Sequence, residues 1–312
     1  MKTVPLILVL SLGLMGTVGF PQEIEETELP EGVFSKSYEL RSTRGGELTF
    51  CLRYPPVGKE KVKGVLFFCT PGAPDNYVSG GHLRNFVEAQ DLAVVGFGQP
   101  GRRWNTTVNT DLLSNREAAE QNRVMNEVAR EWSSLAKRFC REFELPSDGW
   151  LIYGTCGGAQ FAHRLAFRAP DLFLAVHVHY GGSYDEPDPR GRSIQWLVTT
   201  HADEPSYIAA QHFFSKCREL NFPIILKGYT RRSAPELYEP DFLGGGSGGM
   251  QELSRQFFKN ALRKARGEGE TLERFVADIV NGSVFPEQEG AWIPKSQSVI
   301  LEGSELAKAW ER

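Results

Sequence analysis

The sequence predicts an α/β architecture: a mostly parallel sheet of about eight strands with helices on both faces. Three observations carry this prediction. Short, nearly continuous apolar runs such as Lys63–Thr70 (KGVLFFCT) and Leu92–Phe97 (LAVVGF) read as strands buried on both faces. Other segments repeat their apolar residues at three and four positions, the period of a helix lying on a core. Strand and helix signals then alternate along the chain, as the crossovers between parallel strands require.

Taken in order, Phe34–Arg41 and Glu47–Tyr54 are strands around the turn Thr43-Arg44-Gly45-Gly46. The two apolar runs quoted above follow. Met125, Val128, Trp132, Leu135, Ala136, Phe139 and Phe143 form one stripe of a long amphipathic helix. Ser114, with Glu117 three residues on, makes a capping-box pattern at its start. Then come strand Trp150–Tyr153, helix Gly158–Arg168, and strands Leu172–Tyr180 and Ile194–Thr200. Helix Ser206–Leu220 and strand Pro223–Tyr229 complete the alternation, and Gln251–Lys264 and Thr271–Val280 read as terminal helices. Gly244-Gly245-Gly246-Ser247-Gly248-Gly249 is a flexible loop, and no internal repeat is visible, so residues 34–312 are expected to form one domain.

The 312 residues are 41% hydrophobic and 24% charged, enough for one large core. A formal net charge of −4 with no basic stripe gives no support to nucleic-acid or membrane-surface binding. At the N-terminus, Lys2 precedes the uncharged apolar run Val4–Val18, which ends in small residues. That pattern predicts a secretory signal peptide over residues 1–19, too short to favour a permanent membrane span, followed by an acidic lead to residue 33. The mature protein is expected to be exported, periplasmic or extracellular. Export permits disulfides, and the five cysteines leave at least one thiol over; Cys51 and Cys69, on neighbouring strand candidates, are a possible pair.

The chemistry centres on Leu151–Arg164 (LIYGTCGGAQFAHR), where an apolar strand ends in Gly154-Thr155-Cys156-Gly157-Gly158 and passes straight into a helix. A turn this tight holds the central residue in a strained conformation and lifts its side chain above the carboxyl edge of the sheet. The helix N-terminus behind it favours a thiolate, and the N–H of Gly157 is placed to stabilise an oxyanion.

From Gly154 onward, GTCGGAQFAHRLAFRAPDLFLAVHVHYGGSYD resembles the nucleophile elbow of the α/β-hydrolase superfamily, in its esterase and polyhydroxyalkanoate-depolymerase-like group. Those proteins usually carry Ser where Cys156 stands, and Cys at that place is similar to dienelactone hydrolases. The resemblance covers roughly residues 34–265. It implies an α/β-hydrolase fold with Cys156 as nucleophile, Asp203 in Thr200–Ser206 (THADEPS) as the triad acid, and Gly157 and Ala73 as oxyanion donors. Ala73 enters through Pro71-Gly72-Ala73 after the third strand. The alternative role for Asp203 is to cap the helix that begins near Ser206.

The triad histidine is missing from its usual place. In the family it lies on the loop after the last strand, and here Thr230–Tyr238 (TRRSAPELY) contains none; no His follows His212. His179, His201 and His82 are candidates for a relocated base, and Glu236 is a poorer one, since a carboxylate titrates well below neutrality. His177-Val178-His179 has metal-ligand spacing, but two ligands make no site, and no metal or cofactor motif is present. Two readings follow. One is an exported, catalytically impaired or non-hydrolytic member that keeps a cleft for a small-molecule or polymeric ester-like ligand. The other is an active carboxylic ester hydrolase using Cys156 and a relocated His. The loops Gly98–Leu113 and Asp185–Arg192 carry no substrate signature, and Asn105-Thr106-Thr107 and Asn281-Gly282-Ser283 fit glycosylation acceptors.

Overall fold

The computed structural model describes residues 32–41, 46–70, 78, 84–98, 115–229, 249–268 and 272–311. Eight strands form the main sheet: β1 (Val33–Glu39), β2 (Glu47–Arg53), β3 (Gly64–Thr70), β4 (Leu92–Gly98), β5 (Trp150–Thr155), β6 (Phe173–His179), β7 (Gln195–His201) and β8 (Ile224–Tyr229). Their spatial order is β1-β2-β4-β3-β5-β6-β7-β8. β2 pairs antiparallel with both β1 and β4, and from β4 to β8 every pairing is parallel. Parallel neighbours need crossovers, and these carry the helices α1 (Arg84–Ala89), α2 (Asn115–Glu142), α3 (Gly157–Arg168) and α4 (Pro205–Glu219), except between β6 and β7, where the connection holds only the 3-10 turn Pro189–Ser193. Helices α5 (Gly249–Ala265) and α6 (Ser304–Glu311) follow β8.

The apolar runs became central strands because both faces of the sheet are covered. On one face Phe67 packs against Trp132 of α2 at 5.3 Å between ring centroids and against Trp150 of β5 at 4.8 Å. Each such aromatic pair is worth about 0.5–1.5 kcal/mol beyond simple burial. Phe167 and Phe213, from α3 and α4, meet Trp196 of β7 on that same side. On the other face Phe68, Tyr153 and His177 line up, and Phe258 of α5 closes over His177.

Two expectations are corrected. Thr271–Val280 is not a helix: Arg274–Asp278 is strand β9, the middle of a second, three-stranded antiparallel sheet with β10 (Val284–Pro286) and β11 (Ser298–Glu302). Val276, Ala277 and Asp278 are all buried, so the two-residue alternation that marks a half-exposed strand is absent. Leu272, Phe275, Val276 and Ile279 happen to fall at helical spacing, which is why the segment reads as helix. The second correction concerns Cys51 and Cys69. β4 runs between their strands, pairing Cys51 with Gly96 on one side and Cys69 with Phe97 on the other. Two strand spacings amount to roughly 10 Å, beyond the reach of a disulfide. All five cysteines are thiols, and Cys156 is the exposed one.

The small sheet and α6 cover the β8 edge. Lys227 Nζ donates to the Trp310 carbonyl at 2.7 Å and sits 4.7 Å from the centre of the Trp310 ring. An edge strand covered in this way offers no open ladder to another chain. Among the described residues no helix is long and apolar enough to cross a membrane.

Candidate active site

Cys156 stands between β5 and α3 with φ 54° and ψ −123°, a conformation that L-residues rarely adopt. The chain on either side forces it there. The N–H of Cys156 donates to the His179 carbonyl at 3.0 Å, extending the β5–β6 ladder one residue past Thr155. The Cys156 carbonyl then accepts the N–H of Ala159 at 3.1 Å and of Gln160 at 3.4 Å, which opens the first turn of α3. Strand and helix meet so closely that a Cβ on Gly154 would lie 2.4 Å from the Gly158 carbonyl oxygen and 2.8 Å from Ala162 Cβ. Only glycine fits at 154. The thiol is exposed at the carboxyl edge of the sheet, and the half-buried Gly157 is the first residue of α3.

A buried cluster fixes α3 under this turn. His163 Nδ1–H donates to the Ala159 carbonyl at 3.2 Å, and its Nε2 accepts the N–H of Asp185 at 3.0 Å. With both nitrogens so used the imidazole is neutral, and burial lowers its pKa to about 3. The Asp185 carboxylate accepts from Arg164 Nε at 2.7 Å and Arg168 Nη1 at 3.2 Å, and Arg164 is only 1% exposed. Burial works to raise the Asp185 carboxyl, and the neighbouring His163, Arg164 and Arg168 together outweigh it, leaving it below its ordinary value. Asp185, which opens the loop Asp185–Arg192, is therefore a framework residue.

The histidine candidates fall into two groups. His177 and His179 share one face of β6 and are both buried. Thr199 Oγ1 lies 2.8 Å from His177 Nε2 and 2.9 Å from His179 Nδ1, and His177 Nδ1 is 2.9 Å from Ser254 Oγ on α5. A hydroxyl has one proton, so Thr199 donates to one ring and accepts from the other. Burial, then the neighbouring His201, lowers the His179 pKa to about 3; burial holds His177 well below its usual range. The metal-like spacing of this pair thus serves a hydrogen-bond chain. Among the described residues no three His, Cys, Asp or Glu side chains could hold a metal ion.

His201 ends β7, buried, its ring 6.2 Å from that of His179 and 5.2 Å from that of Tyr180. Asp203 is exposed on the turn after β7, and Glu204 is the residue that caps α4 by position. The Tyr180 hydroxyl donates to the Glu204 carboxylate. Neither Tyr180 nor Glu204 stands out in the sequence. The available signal was position: Tyr180 directly follows β6 at the carboxyl edge, and Glu204 adjoins the predicted acid. Ala73, His82, Glu236 and the loop Thr230–Tyr238 lie outside the described residues. Among the described residues no imidazole hydrogen-bonds the Cys156 thiol.

No family model and no curated protein matches the sequence. Solved structures do match in shape. A thermostable esterase aligns over 76% of this chain at 13% identity with TM-score 0.54, and the alignment spans 63% of that esterase's length. An S-formylglutathione hydrolase from Agrobacterium tumefaciens aligns over 76% of this chain and 97% of its own, at 12% identity and TM-score 0.51. A dienelactone hydrolase-like promiscuous phosphotriesterase from metagenomic libraries covers 75% and 98% respectively, at 12% identity and TM-score 0.50. At these identities the likeness concerns architecture. The strand order, the crossovers and the strained turn at Cys156 agree with it, and the chain has the α/β-hydrolase fold.

Proposed function

We propose that this chain is an exported α/β-hydrolase-fold protein that presents Cys156 as a thiol nucleophile, binds ester-like ligands over it, and has lost rapid hydrolytic turnover. The observation that carries this reading is the contrast at the sheet edge. The thiol is exposed in a strained nucleophile turn, while the imidazoles His177 and His179 are buried and bonded to Thr199. Acyl transfer to Cys156 needs little more than this turn. The thiol gives its proton to solvent, the sulfur attacks the ester carbonyl carbon, the Gly157 N–H stabilises the oxyanion, the C–O bond breaks, and the leaving group takes up a proton from solvent. Release of the acyl group needs a base to activate water. A histidine held well below its ordinary pKa and bonded into Thr199 is a poor one. The thioester should therefore persist.

The competing reading is an active cysteine hydrolase of carboxylic esters, with Asp203 orienting a relocated base such as His179 or His201. The bond from the Cys156 N–H to the His179 carbonyl supports it, because it holds that residue beside the nucleophile.

One experiment separates them. With p-nitrophenyl acetate, the proposal expects a single burst of one nitrophenolate per chain and a stable mass gain of one acetyl group on Cys156. Sustained release, abolished by Cys156→Ser and by His179→Gln or His201→Gln, would establish the hydrolase instead. No burst at all would remove nucleophilic use of the thiol.

A further inference from the structure

A cavity of about 560 Å³ lies at the opposite edge of the main sheet from Cys156. Its walls include Gln195 and Ile224, the first residues of β7 and β8, whereas Cys156 stands past the last residue of the parallel strand β5. Seven residues of strand separate the two edges, roughly 20 Å at the rise of a β-strand. The volume is in the range of small-molecule sites.

The lining divides by chemistry. Phe222 from the turn before β8, Ile224 and Ile225 of β8, Phe257 and Ala261 of α5 and Leu306 of α6 supply the apolar lining. Phe257, Ala261 and Lys264 recur at four and three on α5, so one stripe of that helix faces the cavity. The rim holds four cations, Arg218, Lys264, Arg274 and Lys295, against two carboxylates, Glu219 and Glu302. Lys264 pairs with Glu302 at 2.7 Å, and Arg274 pairs with Glu287 at 3.0 Å. Arg218 and Lys295 form no ion pair with a described residue, and the Arg218 Nε is buried without a hydrogen-bond acceptor. Two cations that line the cavity without an ion partner are groups that an anionic oxygen bound there would pair with.

We infer that this cavity is a binding site for an amphiphilic monocarboxylate, its hydrocarbon body against Phe222, Phe257 and Leu306 and its carboxylate on Arg218 and Lys295. Neutral hydrocarbons would leave the two cations unanswered. Small inorganic anions would leave the apolar wall wet. A fatty-acid-like molecule satisfies both, and the site is independent of the chemistry at Cys156.

Calorimetric titration of the protein with dodecanoate, kept below its micelle-forming concentration, tests this. The expected result is saturable binding of one molecule per chain. Arg218→Gln should weaken it by about tenfold or more, the loss of one charge-assisted hydrogen bond. Lys295→Glu changes an exposed turn with no contribution to the core, so it keeps the proposal testable should Arg218→Gln disturb folding; it should weaken binding at least as much. Dodecanamide should bind more weakly than dodecanoate and be insensitive to both substitutions. Protein alkylated at Cys156 should bind dodecanoate like the untreated protein. Absence of saturable binding, or binding indifferent to both substitutions, would overturn the site. Binding abolished by alkylation would place the ligand in the cleft above Cys156 and would overturn it equally.

Discussion

The N–H of Cys156 donates to the carbonyl of His179 at 3.0 Å, so the residue at the strained turn is bonded into the sheet by its own backbone while its thiol stays exposed. The hydrogen bond continues the β5–β6 ladder into the turn, and the carbonyl of the same residue starts α3. A residue held from both sides cannot relax its φ of 54° without breaking the strand end or the helix start.

Strain at this turn is measurable. A sparsely populated backbone conformation costs about 1–3 kcal/mol, and glycine, which tolerates it, loses about 0.5–1 kcal/mol through the entropy of its unfolded chain. Cys156→Gly should therefore raise the unfolding free energy by about 1 kcal/mol in urea titration while removing all labelling by iodoacetamide at this site. A loss of stability would mean that the turn is not strained.

Gly154→Ala should do the opposite. The added methyl would meet backbone at 2.4 Å and Ala162 Cβ at 2.8 Å, neither of which can swing aside. Overpacking of this kind costs about 1–3 kcal/mol, and the elbow would have to open. The same urea titration, with thiol labelling followed in parallel, should show both a lower midpoint and altered Cys156 reactivity.

The Asp185 cluster anchors α3, and Asp185→Ala removes the carboxylate that pairs with the buried guanidinium of Arg164. Breaking a buried pair from one side costs about 3–5 kcal/mol. Arg190→Ala is the control, because the Arg190–Asp188 pair is solvent-exposed and its loss should not move the unfolding midpoint. Equal effects from the two variants would refute the framework role of Asp185.

Buried histidines set the acid sensitivity. His163 and His179 have pKa values lowered to about 3, and His177 is lowered as well. In the unfolded chain each takes up a proton near pH 6.5, whereas the folded state does not until far lower pH. The unfolded state thus binds more protons, and stability must fall as pH drops below about 6.5. Each histidine contributes up to about 1.4 kcal/mol per pH unit. Unfolding free energies at a series of pH values from neutral to mildly acidic should show this slope, and His179→Gln should reduce it by one proton. An unchanged slope would mean that His179 is protonated in the folded protein.

Much of the site was legible because its cause is local. Gly154, Cys156 and Gly158 encode the tight turn within five residues, and the flanking strand and helix are marked by their own apolar periods. The same local signals placed β1 to β8 and the long helix α2. The partners of the histidines were not legible. Thr199 joins His177 to His179 from a neighbouring strand, and Ser254 reaches His177 from a helix 77 residues on. No spacing along the chain records such contacts.

The sequence by itself determined the order of strands and helices as far as β8 and α5, the strained thiol turn, and the lack of a histidine after His212, because each depends on residue type and short-range pattern. Only the tertiary structure decided that β4 separates Cys51 from Cys69, that Arg274–Asp278 is the middle strand of a second sheet, and that a cationic, apolar cavity forms beneath β7 and β8. Those features depend on which distant segments come to lie side by side. That choice is made by burial of apolar surface across the whole fold, not by the propensity of any one segment.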